Sequence, residues 1–251
     1  ATPMGALSLA KTVPNIILGL AGTLTSIFAP TLTIDYARND KEALKNNLKN
    51  GMKLTGVLLT IPFSILIIYG KEFYSLWVPS QDASVLQILS ILTCGGLIFT
   101  SGIQCLFNVF TVVNKLKLNS ILVLLSGAVS TLIVFILIKT TNLGVFAIAG
   151  VSSVVNLVCN MVYTVPFTAK YLGLKWNTFF PEVFSSAISV IVLTIVGITI
   201  KRFIIANSWF MLIIAVGITS LLGLAINMFI VLNKDERNQL IGIFKKKLKL
   251  A

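Results

Sequence analysis

Residues 118–138 read LNSILVLLSGAVSTLIVFILI, a run that contains no Asp, Glu, Lys or Arg. A helix needs roughly 20 apolar residues to cross the ~30 Å hydrocarbon core of a bilayer. A helix on the surface of a globular protein keeps a polar face toward water, and this stretch has no such face. The stretch therefore predicts a membrane-spanning helix.

Similar apolar stretches lie on both sides of this one along the chain. Together they predict seven spans, at residues 12–36, 52–69, 85–114, 118–138, 142–169, 183–200 and 203–233. Asp35 near the end of the first range and Lys53 at the start of the second are the charged residues inside them. Charged residues make up 11% of the chain, against about 25% in soluble domains. We predict an all-α integral membrane protein with a single polytopic domain.

The loops between the predicted spans form two alternating sets that differ in basic residues. Fifteen Lys and Arg fall in one set, which includes the basic amphipathic tail at residues 234–251, and five fall in the other. Short loops rich in Lys and Arg stay on the cytoplasmic side, so the C-terminus is predicted to be cytoplasmic. Basic clusters beside spans attract anionic headgroups, so the net charge of +12 predicts membrane lipids and not nucleic acid as partners.

Residues 39–53 form a basic segment between the first two predicted spans. Asp40 can cap a helix, and Leu44 and Leu48 then share one face of it. This pattern predicts a short amphipathic helix on the cytoplasmic surface.

The sequence offers little for catalysis. General acid–base chemistry uses His or paired carboxylates within reach of one another, and the chain has no His. Its eight acidic residues lie at span ends or in loops. Spacings typical of metal ligands and Gly-rich phosphate loops are also missing. We therefore predict that the chain is not an enzyme and uses no metal and no cofactor.

Prolines and uncharged polar residues occur inside the predicted spans. Pro14 and Pro30 in the first span and Pro62 in the second are predicted helix kinks, because proline removes a backbone donor. Bent spans line cavities in transporters, although a static kink for packing fits equally well. The polar residues suit either hydrogen bonds between helices or a cavity lining; they include Asn15, Gln104, Asn108, Asn156 and Asn160.

Lys11 is predicted to open the bent first span. A cation near membrane depth is costly and usually functional. The alternative is that its ammonium group extends to the outer surface and acts as an anchor. We predict substrate-binding roles for Lys11, Asn15, Gln104 and Asn108.

Short motifs in the first half of the chain resemble a known transporter family. They are SLAKTVP at 8–14, SIFAP at 26–30, YA at 36–37, IP at 61–62, YGKEFYSLW at 69–77 and NK at 114–115. These stretches are similar to helices of the Wzx-like polysaccharide flippases, which share the MOP exporter superfamily with the MATE multidrug exporters.

The resemblance implies a two-lobe transporter of the bacterial cytoplasmic membrane. This chain would supply the second lobe and two extra C-terminal helices, and its partner would be the missing N-terminal lobe of the same protein. The implied activity is flipping of a lipid-linked oligosaccharide, carried on polyprenyl pyrophosphate, to the outer leaflet by alternating access. Two alternatives stay open. A polytopic enzyme acting on polyprenyl-linked lipids would need clustered carboxylates or His, and a multidrug exporter is expected to carry an acid within the membrane.

Overall fold

The computed structural model describes residues 3–234 and 236–238, and this part of the chain is helical without strands. Its α-helices are α1 Pro3–Ala10, α2 Thr12–Ser26, α3 Ala29–Ala37, α4 Lys41–Trp77, α5 Ala83–Cys94, α6 Leu97–Thr100, α7 Phe107–Val112, α8 Leu116–Thr140, α9 Val145–Cys159, α10 Val165–Tyr171, α11 Phe180–Lys201 and α12 Trp209–Ile230. A 3₁₀ turn at Ile103–Leu106 precedes α7, and a π-helical turn at Asn160–Thr164 joins α9 to α10.

Within the described residues, six stretches are long and apolar enough to cross a membrane. They are Pro3–Ala37, Lys41–Trp77, Leu116–Thr140, Val145–Tyr171, Phe180–Lys201 and Trp209–Ile230. The prediction of an all-α integral membrane protein is therefore confirmed.

The third predicted span, 85–114, is interrupted by breaks between α5, α6 and the 3₁₀ turn. The broken segment nevertheless runs antiparallel to α4. At one end the Gln87 side chain donates to the carbonyls of Leu66 and Ile67, at 3.2 and 2.7 Å. At the other end Gly51 lies against Cys105. The segment therefore follows α4 through its apolar part, although its helices are shorter than the six candidate spans.

The first span begins at Pro3 and not at Thr12, and it breaks just before each of its two internal prolines. At the first break, Pro14 has no N–H to offer the carbonyl of Ala10, four residues earlier. That carbonyl instead accepts hydrogen bonds from the Ser90 hydroxyl at 2.7 Å and the Tyr74 hydroxyl at 3.3 Å. Neighbouring helices commonly re-satisfy a carbonyl that proline frees in a membrane helix.

The second break, at Ile27 and Phe28, precedes Pro30 and is also contacted by a polar side chain of another helix. Here the Asn108 side chain donates to the carbonyl of Thr25 at 2.9 Å. Both breaks in the first span are thus held by polar side chains, and the broken third span contributes one at each break.

Helix α4 continues without a break from Lys41 to Trp77. The separate surface helix predicted for 39–53 is therefore wrong: Asp40 does cap a helix, but that helix continues into the span. Leu44 and Leu48 are buried because they pack on α3 and on the segment after α10. Pro62 lies inside α4, and the Asn227 side chain of α12 donates to the carbonyl of Val57, about one turn before it.

Ion pairs join α4 to the last part of the chain at both ends of the bundle. Lys49 pairs with Glu182 of α11 at 3.0 Å, Lys53 with Glu236 at 2.7 Å, and Lys201 with Glu72 at 2.7 Å. Burial alone raises the pKa of the Glu236 carboxyl, but the hydrogen bonds from Lys53 and the Asn233 N–H outweigh it. The pKa of Glu236 therefore lies below its ordinary value. Of the tail predicted at 234–251, residues 235 and 239–251 lie outside the described part.

Candidate functional site

A polar groove of about 190 Å³ lies between the third span, α2 and α9. Its lining consists of Leu18, Thr93, Cys94, Gly96, Leu97, Thr100, Gln104, Ser152, Ser153 and Asn156. None of these residues carries a charge.

The groove lies near the middle of the membrane-spanning part of α4. Gln87, on one side of the groove-lining segment, bonds to the carbonyls of Leu66 and Ile67. Gly102, on the other side, lies next to the Met52 carbonyl. The lining residues of α5 and α6 therefore run alongside the α4 segment between these two contacts. An interrupted helix at this depth, beside a polar cavity, is the arrangement in which transporters commonly bind their substrates.

Gly96 lies at the first break of the third span and contacts α9. Its N–H donates to the Ser153 hydroxyl of α9 at 2.7 Å. A Cβ added at this position would lie 3.2 Å from the Ser153 carbonyl, closer than most side-chain contacts. Glycine thus lets the broken segment approach the backbone of α9, and a hydroxyl there binds an N–H that the break has freed.

The polar side chains of α9 continue as a chain of hydrogen bonds away from the groove. Asn160 donates to the Oδ1 of Asn156, and Thr164 donates to the Oδ1 of Asn160 at 2.8 Å. The two asparagines stand at the junction of α9 with the π-helical turn, and Pro166 follows one turn later. Turns of this kind frequently occur at functional sites.

Two amide groups at the groove have hydrogen-bonding capacity left. Among the described residues, neither the Gln104 amide nor the Nδ2 of Asn156 has a hydrogen-bond partner. Gln104 is half-buried and Asn156 is exposed. Both can therefore bind a polar molecule that enters the groove.

One face of α2 borders the groove. Lys11, Asn15 and Leu18 are spaced four and three residues apart, so they share a face of the helix. Leu18 lines the groove, whereas Asn15 is exposed on the same face and Lys11 is half-buried at the α1–α2 junction. The carbonyl of Ala10, the residue before Lys11, accepts a hydrogen bond from the Tyr74 hydroxyl. Lys11 therefore lies near the level of the Tyr74–Trp77 end of α4.

The predicted site residues thus take different positions. Gln104 lines the groove, and Lys11 and Asn15 lie on the bordering face. The Asn108 amide is bonded to the Thr25 carbonyl at a helix break. Sequence reasoning did not select the hydroxyl-bearing part of the lining; the Gly95-Gly96 pair in an apolar stretch was the available signal for it. These lining residues are Thr93, Thr100, Ser152 and Ser153.

Comparison with known proteins agrees with the membrane architecture. The chain is 27% identical over 234 residues to the uncharacterized membrane protein EpsK of Bacillus subtilis (strain 168). The alignment covers 93% of this chain and 46% of the relative, so the chain spans about half the length of that protein. No family model and no solved structure matches the chain. The chain is a multi-span helical membrane protein that is similar to this membrane protein of Bacillus subtilis.

Proposed function

We propose that this chain is half of a transporter that flips a lipid-linked oligosaccharide across the bacterial cytoplasmic membrane. The observation that carries the proposal is the broken third span, which borders an uncharged polar groove alongside the middle of α4. A polar groove facing lipid would be costly, since lipid tails cannot satisfy hydrogen bonds. The groove therefore needs either a polar substrate or a second protein surface opposite it.

The open side of the groove is where we place the N-terminal lobe of the same protein. A Cβ added at Gly19 or Gly22 of α2 would meet no atom within 4 Å, so this face has room for a neighbour. Alternating access needs two halves that rock about a site between them. One set of loops carries fifteen basic residues and the other carries five. Because basic loops stay on the cytoplasmic side, we assign the C-terminus of the chain to the cytoplasm.

Two other functions are less well supported. For a multidrug exporter, an acid in the cavity would be expected, but the groove lining contains none. The buried acids Asp35 and Glu182 bond to Asn47 and Lys49 near one end of α4, away from the groove. For an enzyme acting on polyprenyl-linked lipids, the described lining provides no paired carboxylates.

The proposal predicts that filling the groove stops transport. We expect Leu18→Trp in the full-length protein to lower complementation of a flippase-deficient strain at least fivefold, because the indole occupies the space that the substrate needs. Ile16→Trp is the matched control, since Ile16 is exposed on the opposite flank of α2. Both variants are compared at equal membrane levels. Equal complementation by the two variants would contradict a substrate role for the groove.

Lys11 provides a second test, at the end of the same helix face. A lysine ammonium pairs with a pyrophosphate as a compact point charge. We expect Lys11→Arg to keep transport in the full-length protein, Lys11→Ala to reduce it, and Lys11→Glu to reduce it about threefold through repulsion. Transport is measured as surface polysaccharide at matched protein levels. Normal transport by Lys11→Glu would make Lys11 a membrane anchor.

A further inference from the structure

We infer that the groove binds an uncharged sugar of the substrate through Gln104 and Asn156, and that the pyrophosphate stays outside it. This inference rests on the proposed function and assigns the two ends of the substrate to different places. The sugar lies in the groove, alongside the middle of α4, and the anionic group lies beyond the groove.

The free groups of the groove match the chemistry of a sugar. An amide side chain offers two N–H donors and a carbonyl acceptor, and a hydroxyl both donates and accepts. Sugar hydroxyl and acetamido groups also present donors and acceptors side by side. Gln104 and Asn156 have free capacity within the described residues, and Thr100 adds a hydroxyl to the same lining. The lining can therefore hydrogen-bond a sugar without any charge.

The same lining is unsuited to a pyrophosphate. Moving an ionised group from water into a low-dielectric site is very costly unless a cation or several donors compensate it. The groove lies alongside the apolar part of α4, and its ten lining residues include no Lys or Arg. Lys11 is on the bordering face, but the described residues place it at the α1–α2 junction, outside the lining. A pyrophosphate at the Lys11 end would avoid that cost.

The size of the groove limits how much of the glycan it can hold. Its volume is about 190 Å³. That space suits one sugar ring and not a whole repeat unit. The groove would therefore bind a single sugar, and the remaining sugars would contact the opposite lobe or water.

Binding to the purified full-length protein in lipid nanodiscs separates the two ends of the substrate. One probe is undecaprenyl pyrophosphate linked to N-acetylglucosamine, and the other is undecaprenyl pyrophosphate without sugar. We expect the double variant Gln104→Leu with Asn156→Leu to bind the sugar-bearing probe about tenfold more weakly, from the loss of two or more hydrogen bonds. Its affinity for the bare carrier should change less than twofold. Asn142→Leu, in the exposed loop before α9, is the control substitution and should change neither affinity.

Each other outcome has a distinct meaning. Equal losses for both probes would show that the groove holds the pyrophosphate, and unchanged affinities would show that it binds neither part. Either result overturns the inference while the proposed function stands. Failure of the wild-type protein to bind either probe contradicts the proposed function itself, and the inference with it. If the double variant unfolds, the single substitutions replace it, each with an expected loss of about threefold.

Discussion

Replacing Lys49 by methionine is expected to lower the free energy of unfolding of the protein by about 3 kcal/mol. Lys49 lies 3.0 Å from a carboxylate oxygen of Glu182, whose side chain is almost fully buried. The second carboxylate oxygen of Glu182 is buried without a partner among the described residues. Removal of the lysine would therefore leave an uncompensated buried charge, which is far more damaging than loss of an exposed ion pair.

The companion variants identify the cause of this loss. Adding Glu182→Gln to Lys49→Met should recover most of the stability, because the buried group is then neutral. Lys45→Met, one turn earlier on α4, is the matched control, since no ion pair involves Lys45 among the described residues. The unfolding transition of each variant is measured in mixed detergent micelles. The variants are then compared by the midpoint of that transition. Equal midpoints for Lys45→Met and Lys49→Met would refute the explanation.

The double substitution Ser90→Ala with Tyr74→Phe is expected to cost about 2 kcal/mol of stability, because the Ala10 carbonyl loses both of its donors. The two hydroxyls also bond to each other at 2.6 Å. Removing them together avoids leaving one of them unpaired. Without the two hydroxyls, the Ala10 carbonyl would lack these donors, because Pro14 has no N–H to replace them.

A proline substitution completes this test. In the Pro14→Ala protein, the new N–H can bond to the Ala10 carbonyl within a regular helix. The Ser90→Ala, Tyr74→Phe pair should then cost less than half as much as in the wild-type background. A double-mutant cycle on the unfolding midpoint measures this coupling. If the cost is the same in both backgrounds, the hydroxyls stabilise the bundle by some other contact.

Hydropathy predicted the membrane architecture well because a spanning helix must be apolar all round. It predicted the ends of helices less well. Lys11 marked the start of the first span in the sequence, yet the structure places it at a break with α1 before it. The segment 39–53 has the amphipathic pattern of a surface helix, and the same pattern suits the buried end of a long helix. Whether Leu44 faces lipid headgroups or α3 is decided by tertiary contacts that the local pattern does not contain.

The groove was only partly predictable for a similar reason. The polar residues Gln104 and Asn156 were visible in the sequence, but their meeting in one groove depends on how the third span packs against α9. One contact of that packing is the hydrogen bond from Gly96 to Ser153, 57 residues later. Asn108 and Gln104 are both amides in the same predicted span, so the sequence did not distinguish them. The bond from Asn108 to the Thr25 carbonyl joins distant parts of the chain, and the local sequence does not predict it.

The continuous α4 has a mechanical consequence. Its 37 residues make a rod of about 55 Å. Near one end the rod is tied to α11 through Glu182, and near the other it is tied to the end of the same helix through Lys201. Two ion pairs so far apart oppose both sliding and tilting of α4 relative to α11. A tilt of α4 therefore carries α11 with it, so we expect the two helices to move as one unit.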